Sequence, residues 1–261
     1  MILAELARLS RERVEIAKAR CSLEKLRGQA EAMEPMLGFP FERALQGSDI
    51  AFICEVKRAA PSKGIIAKEF PYIHIATEYE QAGAAAISVL TEPTYFKGKN
   101  EYLQDIAQQV RLPVLRKDFT VDEYQIYEAR TLGAAAILLI GALLDEEKMA
   151  RYIRIAQRLG LSVLAEAHTA KEIQLALRAG ARIIGVNNRN LKDFTVDLHT
   201  CERLRQLVPP DILFVAESGI QGAADIQRLR QSGVNAVLIG ETLMRSSDKS
   251  AKLAELRGKK L

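Results

Sequence analysis

Residues 131–137 read Thr-Leu-Gly-Ala-Ala-Ala-Ile, and related stretches occur three more times along the chain. Residues 81–87 read Gln-Ala-Gly-Ala-Ala-Ala-Ile, residues 178–184 read Arg-Ala-Gly-Ala-Arg-Ile-Ile, and residues 231–237 read Gln-Ser-Gly-Val-Asn-Ala-Val. Each glycine is expected just past the C-terminal end of a helix, and the apolar run after it predicts a strand. The recurrence, about every fifty residues, predicts four successive units of one architecture.

Further apolar runs lie between these units, so strand-like and helix-like segments alternate from residue 49 onward. The predicted strands are 50–56, 85–90, 113–115, 135–140, 162–165, 182–186, 212–216 and 236–239, and helices are predicted at 73–81, 121–132, 148–159, 170–179 and 223–232. Strands joined through helices pair in parallel by right-handed crossovers. Eight continuously apolar strands predict an α/β fold, a closed (β/α)8 TIM barrel. An open doubly wound sheet is the alternative, but the G-x-G-x-x-G turn usual in that fold is absent from the sequence.

The region before the first strand has a different pattern. Apolar residues recur at roughly helical spacing between positions 2 and 32, which predicts one amphipathic helix. Pro35, Gly38 and Pro40 indicate a break, and a short second helix is predicted at 41–45. We therefore expect residues 1–48 to form a helical extension packed on the barrel, and residues 49–261 to form the barrel of a single-domain protein.

Bulk composition narrows the class of protein. The 261 residues are 48% hydrophobic and 27% charged, with a formal net charge of +4. This charge is too small to indicate a nucleic-acid partner, and no apolar run approaches the length of a membrane span. Three well-separated cysteines and three scattered histidines favour neither a disulfide framework nor a metal site. We expect a cytoplasmic protein without membrane or nucleic-acid partners, as a monomer or a weakly associating dimer.

Charged and polar side chains occur where the predicted strands end. They are Glu55 and Lys57 on the first strand, Lys117 after the third, Glu166 after the fifth, Asn187 and Arg189 after the sixth, Glu217 and Ser218 after the seventh, and Glu241 after the eighth, where it follows Gly240. In this fold the C-terminal ends of the strands form one functional mouth. A single pair such as Glu55 and Lys57 could be a structural salt bridge. Polar groups on so many strand ends instead predict a catalytic site.

Two glycine-containing junctions after the last strands predict a phosphate site. Residues 218–220 and 240–242 each lead toward a helix, where backbone N–H groups can bind a phosphate dianion. The loops after strands seven and eight are the usual phosphate site of this fold. The glycines could also simply permit tight turns. We expect a small phosphosugar substrate.

Five longer motifs carry a resemblance to a known family. They are Glu-Val-Lys-x-Ala-x-Pro-Ser-Lys-Gly at 55–64, Ile-Ser-Val-Leu-Thr-Glu-Pro-Thr-Tyr-Phe-Lys-Gly at 87–98, Leu-Pro-Val-Leu-Arg-Lys-Asp-Phe at 112–119, Ile-Gly-Val-Asn-Asn-Arg-Asn-Leu at 184–191 and Ala-Glu-Ser-Gly-Ile at 216–220. Together they resemble the indole-3-glycerol-phosphate synthase family over nearly the whole chain. The resemblance implies a lyase of tryptophan biosynthesis, without metal or organic cofactor, that closes the indole ring of 1-(2-carboxyphenylamino)-1-deoxyribulose 5-phosphate and releases carbon dioxide and water.

The resemblance also implies catalytic roles for matched positions. Lys117 corresponds to the acid that protonates the sugar carbonyl. Glu166, Lys57 and Glu55 correspond to the remaining acid and base groups, in an order that stays open. One such positioned group typically contributes about 10²–10⁴-fold in rate. His168, two positions beyond Glu166, is expected in a helix N-terminal turn rather than against the substrate.

Other matched positions are implied to hold the substrate. Asn187 and Arg189 would orient the anthranilate end, and Glu217 and Ser218 would reach the sugar; Asn187 and Glu217 are also grouped with the catalytic residues. The phosphate would be bound by Lys57, Gly219, Gly240 and Glu241. Phe96 and Phe119 are candidate walls for the aromatic ring. Two positions depart from many relatives, since Ala60 and Glu241 replace serines. We expect the Glu241 side chain to point away from the phosphate, leaving its N–H in contact.

Two other functions remain as alternatives. A phosphoribosylanthranilate-type isomerase on the same barrel would share the phosphate site, but it has no evident use for four charged groups on strands one, three and five. A non-catalytic phosphosugar sensor would keep the glycine turns without needing those charges. An assay for the indole product separates the three functions.

Overall fold

A computed structural model describes residues 2–34, 36–190 and 193–258. Eight parallel strands in this part close into a barrel. They are β1 Ala51–Val56, β2 Ala86–Leu90, β3 Val114–Lys117, β4 Ala136–Ile140, β5 Ser162–Ala167, β6 Ile183–Asn187, β7 Leu213–Glu217 and β8 Ala236–Ile239. Each strand pairs with its neighbours in sequence, and β1 also pairs with β8. The predicted (β/α)8 TIM barrel is confirmed.

Helices lie before, between and after these strands. They are α1 Ile2–Arg20, α2 Leu23–Glu31, α3 Pro40–Leu45, α4 Tyr72–Gln81, α5 Asn100–Gln109, α6 Tyr124–Thr131, α7 Glu146–Arg158, α8 Ala170–Arg178, α9 His199–Arg205, α10 Ala223–Gln231, α11 Glu241–Met244 and α12 Lys249–Leu256. The five helices predicted between the strands correspond to α4, α6, α7, α8 and α10, and the short helix predicted at 41–45 corresponds to α3. In the part of the chain that the structure describes, no helix combines the length and apolar character needed to cross a membrane.

The four repeated glycines have the backbone conformation that their sequence context predicts. Gly83, Gly133, Gly180 and Gly233 have φ values of 82°, 86°, 88° and 75°. Each follows the end of a helix within two residues and precedes β2, β4, β6 or β8. The left-handed conformation, which glycine adopts without a Cβ penalty, ends each helix and lets the chain enter the next strand.

Alternation along the strands divides the core into two shells. In β1, Ala51 and Ile53 belong to the cluster inside the barrel, whereas Phe52, Cys54 and Val56 pack outward with the helices. Successive strand residues point to opposite faces, so both sides of the sheet are buried. Glu55 therefore lies on the inner face, in line with Ala51 and Ile53.

Four strands extend further than the apolar runs predict. Lys117, Glu166, Asn187 and Glu217 were expected just after strand ends, yet they lie within β3, β5, β6 and β7. The ladder continues through them, since Leu90 pairs with Lys117, Glu166 with Gly185, and Asn187 with Glu217. Backbone pairing does not depend on side-chain polarity, and the strands thus hold these side chains more firmly than loops would.

The prediction of one helix between residues 2 and 32 is wrong. The chain forms α1 and α2, separated at Cys21 and Ser22. The Ser22 hydroxyl accepts a hydrogen bond from Lys25 N at 3.3 Å and caps α2. A serine that caps a new helix satisfies N–H groups that would otherwise lack partners at its start.

The short helix α3 is part of the barrel interior. Phe41 and Leu45 are fully buried in the inner cluster. Glu42 pairs with Arg182 at 2.7 Å, immediately before β6 begins, which places α3 at the N-terminal end of the barrel. The proposed division at residue 48 stays a prediction; Pro35 of the predicted break, Leu191 of the fourth motif and residues 259–261 lie outside the described residues.

Candidate active site

A cavity of about 540 Å³ lies at the C-terminal ends of the strands. The structure brings every residue of the predicted site to its lining. These are Glu55, Lys57, Phe96, Lys117, Phe119, Glu166, Asn187, Arg189, Glu217, Ser218, Gly219, Gly240 and Glu241. They come from seven strands or the loops after them, so convergence depends on closure of the barrel. Their individual roles are a separate question that convergence alone does not answer.

Lys117 is the centre of the charged cluster. Its Nζ lies 3.0 Å from Glu166 Oε2 and 3.3 Å from Glu217 Oε2. Both carboxylates are buried, and the lysine side chain is 14% exposed. Asn187 Nδ2 donates to Glu166 Oε1 at 3.4 Å. One ammonium thus stands between two carboxylates on the inner wall, and its side chain still reaches the cavity.

This arrangement shifts the pKa values of the three groups in different directions. Burial opposes charge on Lys117, but Glu166 and Glu217 outweigh burial and raise its pKa. Burial also opposes ionisation of Glu166, yet Lys117 and other polar neighbours lower its pKa to about 2. Burial raises the pKa of Glu217 to about 7; the attraction of Lys117 opposes this, and repulsion from Glu166 reinforces it. The cluster contains a charged lysine, a firmly ionised carboxylate and a carboxyl that titrates near neutrality.

A second acid–base pair lies on β1 and the residue after it. Lys57 Nζ contacts Glu55 Oε1, and both side chains are largely buried. A Cβ placed on Gly240 would overlap with Glu55 Oε1 and come within 2.9 Å of Lys57 Nζ. Gly240 therefore leaves the space that this pair occupies, and the Lys57 ammonium lies beside the turn that begins α11.

Gly185 leaves the corresponding space for Glu217. A Cβ at this β6 position would overlap with Glu217 Oε1 and come within 3.0 Å of Leu164 Cδ1. Within the described residues, Glu217 Oε1 is buried without a hydrogen-bond partner. An unpaired buried oxygen favours the protonated carboxyl group, in agreement with the raised pKa.

The turn after β7 has an unusual backbone. Ser218 and Gly219 have consecutive positive φ values of 65° and 84°. Asn188 Nδ2 donates to Ser218 O at 3.1 Å and holds the turn. A serine in this region is uncommon and costs energy, so such residues concentrate at functional sites. Both residues of the turn line the cavity.

Comparison with known proteins identifies the family. The family model described as Indole-3-glycerol phosphate synthase matches residues 3–256. The chain belongs to the indole-3-glycerol phosphate synthase family. The resemblance in the five motifs is confirmed.

Curated relatives and solved structures agree with this assignment at different levels. An indole-3-glycerol phosphate synthase of Ruminiclostridium cellulolyticum is 55% identical over 258 residues, covering 99% of each chain. One of Leuconostoc mesenteroides is 50% identical over 262 residues, covering 100% of each chain. The crystal structure of 3-hexulose-6-phosphate synthase from Salmonella typhimurium has a TM-score of 0.66 at 12% identity, with 80% of this chain and 97% of that chain covered. This last likeness shows the fold alone.

Apolar side chains form one wall of the cavity in this member of the indole-3-glycerol phosphate synthase family. Phe96 and Phe119 have ring centroids 6.1 Å apart. Leu138 and Ile140, inward residues of β4, also line the cavity. Ile2 and Leu6 of α1 complete the lining, and sequence analysis missed them because the extension offered no motif. The cavity combines a charged cluster with a hydrophobic surface suited to an aromatic ring.

Cations at the rim surround Glu241. Its carboxylate lies 3.0 Å from Arg245 Nε, 3.7 Å from Arg189 Nη2 and 4.0 Å from Lys63 Nζ. Arg189 N donates to Asn187 Oδ1 at 3.0 Å. Lys63 and Arg245 were not predicted as site residues, although Lys63 belongs to the quoted Pro-Ser-Lys-Gly turn. That turn is the tip of a small hairpin formed by Ala59–Ala60 and Gly64–Ile65, which carries Lys63 to the cavity.

The three histidines differ in their environments. His74 and His199 have side chains that are 71% and 74% exposed. His168 is mostly buried, and its Nε2 lies 3.6 Å from Glu166 Oε1. In the described part of the chain, His168 stands outside the set of residues that line the cavity. It contacts Glu166, a cavity residue, without lining the cavity itself.

Proposed function

We propose that this chain converts 1-(2-carboxyphenylamino)-1-deoxyribulose 5-phosphate to indole-3-glycerol phosphate in tryptophan biosynthesis. The observation that carries the proposal is the Lys117 ammonium between Glu166 and Glu217 in a cavity with an apolar wall. The substrate has an aromatic ring, an electrophilic carbonyl and an anionic phosphate, which match the wall, the ammonium and the cationic rim. Membership of the indole-3-glycerol phosphate synthase family supports the same reaction.

Lys117 is the acid for ring closure. Its raised pKa keeps it charged at neutral pH. It can give a proton to the carbonyl oxygen while the aromatic carbon attacks the carbonyl carbon. The substrate carboxylate then leaves as carbon dioxide, and its bonding electrons return to the ring. A positioned acid contributes about 10²–10⁴-fold to the rate.

Loss of water needs a second acid and a base. The hydroxyl formed on the former carbonyl carbon leaves with a proton, and a further proton is lost to restore aromaticity. Glu166, ionised beside Lys117, suits the base. The Lys57 ammonium, held by Glu55, suits the second acid. Glu217 titrates near neutrality and can hold or release a proton in the same cluster.

The two ends of the substrate are held at different places on the rim. Asn187 and Arg189 orient the anthranilate carboxylate, and Phe96 and Phe119 pack against its ring. Glu217 and Ser218 reach the sugar hydroxyls. The phosphate is bound by Lys57 and by backbone N–H groups of Gly219, Gly240 and Glu241. Support comes from the Lys57 ammonium beside Gly240 and from the positive-φ turn at Ser218 and Gly219.

The direct test supplies purified protein with the carboxyphenylamino substrate. Fluorescence of the indole product and release of one carbon dioxide per product are followed together. The matched variants are Lys117→Met, which removes the ammonium in the cavity, and Lys171→Met, which alters an exposed lysine of α8. We expect turnover in the wild type and in Lys171→Met, and its loss in Lys117→Met. Isomerisation of phosphoribosylanthranilate without carbon dioxide release would overturn the proposal.

A further inference from the structure

The two oxygens of the Glu166 carboxylate face different partners. Oε2 lies 3.0 Å from Lys117 Nζ. Oε1 lies 3.4 Å from Asn187 Nδ2 and 3.6 Å from His168 Nε2. His168 is not among the described residues that line the cavity, and its Nε2, buried without a hydrogen-bond partner among the described residues, faces Oε1 as an ion-pair contact. One oxygen is therefore directed at the proposed acid, and the other at Asn187 and His168.

His168 is itself fixed by a second carboxylate. Its Nδ1 lies 3.6 Å from Glu172 Oε2 of α8. Glu172 also accepts hydrogen bonds from His168 N at 2.8 Å and from Thr169 Oγ1 at 3.0 Å, so its position is well defined. The His168 side chain is 18% exposed. The imidazole thus stands between a carboxylate of the cavity and a carboxylate of the first turn of a helix.

This environment favours the imidazolium. Burial opposes the charge, but the neighbouring carboxylates of Glu172 and Glu166 outweigh burial and raise the pKa of His168. Glu217 of β7 adds attraction from farther away. Lys117 is the cation on the opposite side of Glu166. Two cations then share one ionised carboxylate, each on its own oxygen.

We propose that His168 is a positioning residue for Glu166. Its imidazolium, held by Glu172, fixes Oε1 from outside the cavity and keeps Oε2 directed at Lys117. His168 does not touch the substrate. The role of Glu166 in turnover rests on the proposed function, whereas the contact between the two side chains does not.

The consequence for catalysis concerns kcat more than KM. Without the imidazolium, Oε1 keeps the single long hydrogen bond from Asn187 and the carboxylate can rotate. Loss of a partner that orients a reactive group typically costs about 10–100-fold. For His168→Gln we expect kcat to fall about 10-fold, with KM changed less than about 2-fold, because no contact with substrate is removed.

The matched control is His199→Gln. His199 also pairs with a glutamate, Glu202, at 2.9 Å, but it is 74% exposed and is not among the described residues that line the cavity. Both variants and the wild type are assayed from pH 5.5 to 9. An imidazolium is lost as pH rises through its pKa, so the wild type and His199→Gln should lose rate there. In His168→Gln the decrease in rate that is due to the imidazolium should be absent, and any pH dependence of the rate that is due to Glu217 should remain. Wild-type kcat with an unchanged profile in His168→Gln would overturn the inference.

Histidine NMR tests the contact without turnover. The wild type has three imidazoles to follow, and His168 should titrate above about 6.5, the ordinary value. Glu166→Gln and Glu172→Gln should each lower the pKa of His168. If Glu166→Gln leaves the pKa of His168 unchanged, the inference is overturned, even if the enzyme is active. A shifted titration in a protein that makes no indole product would support the contact and overturn the proposed function alone.

Discussion

Lys117 and Asp118 are neighbours in sequence but belong to two different charge clusters. The inner cluster faces the cavity and consists of Lys57, Lys117, Glu55, Glu166 and Glu217. The outer cluster connects the barrel with the N-terminal extension and consists of Arg13, Arg116, Asp118 and Glu128, of which Asp118 also lines the cavity. The inner cluster contains three carboxyl groups and two ammonium groups, whereas the outer cluster contains two carboxylates and two guanidinium groups.

The outer cluster has matched charges and many hydrogen bonds, with Arg13 Nε the member that is buried without a partner among the described residues. Asp118 accepts from Arg13 Nη2 at 2.6 Å and Nη1 at 3.1 Å, and from Thr91 Oγ1 at 2.6 Å. Arg116 donates to Gln125 O at 2.9 Å and to Glu128 Oε2 at 2.6 Å. Burial opposes the charge of Asp118, but Arg13 and Arg116 lower its pKa to about 2. Balanced charges with short bonds indicate a structural role, and the pair with Arg13 ties α1 to the barrel.

The inner cluster is left unbalanced. Glu217 Oε1 has no hydrogen-bond partner among the described residues, and Lys117 is shared by two carboxyl groups. Buried groups with an excess of one charge have strongly shifted pKa values, and such groups concentrate at functional sites. The difference teaches that burial alone does not separate structural from reactive charges. The two clusters differ in whether their positive and negative charges are balanced.

The largest expected effect is that of Lys117→Met on turnover. We expect kcat to fall about 10³-fold, because the proposed acid is removed. The free energy of unfolding should fall by less than in Asp118→Asn, since Glu166 and Glu217 can take up protons once the ammonium is gone. Steady-state kinetics and urea unfolding measure the two quantities. A large loss of stability would show that the inner cluster holds the fold as the outer one does.

Asp118→Asn should have the opposite effects: a large loss of stability and a small change in kcat. It breaks a buried, hydrogen-bonded ion pair and leaves Arg13 and Arg116 without their shared carboxylate, so we expect a loss of about 3–5 kcal/mol in unfolding free energy. The folded fraction should keep kcat within about 10-fold of the wild type, because Asp118 is not a proposed proton donor or acceptor. Urea unfolding at pH 7 gives the first value. Undiminished stability would remove the distinction between the clusters.

Gly185→Ala tests the space around Glu217. The added Cβ would overlap with Glu217 Oε1 and displace the carboxyl from Lys117. We expect kcat to fall about 10–100-fold, as for loss of a group that orients a catalytic residue. Gly28→Ala is the control, because a Cβ on Gly28 meets no atom within 4 Å and alanine favours the interior of α2. Equal kcat in the two variants would contradict the proposed placement.

The smallest effect concerns pH and stability. The folded pKa of Glu217 is raised to about 7, so between the unfolded value and 7 the folded state binds a proton that the unfolded state lacks. This contribution to stability is present at low pH and is lost as pH rises through 7. Urea midpoints from pH 5 to 8 should therefore fall more in the wild type than in Glu217→Gln. Parallel curves would contradict the raised pKa.

Sequence patterns predicted the barrel because its signals are local. A glycine that ends a helix and a buried strand that follows it are encoded within a few residues, and the fourfold repeat identified the units. The residues at strand ends could also be predicted, since every parallel strand delivers its C-terminal end to one mouth. Family resemblance supplied the roles, including a sugar contact for Glu217.

The sequence by itself determined the eight strands of the barrel, five of the helices between them and the predicted residues of the cavity lining. Only the tertiary structure decided their pairing: Glu217 beside Lys117, Asp118 with Arg13 from 105 positions earlier, and His168 behind Glu166. Such pairs depend on strand register, barrel closure and the path of α1 across the barrel. The physical reason is that periodicity is a property of neighbouring residues, whereas the sharing of charge in a buried cluster depends on distances set by the whole fold.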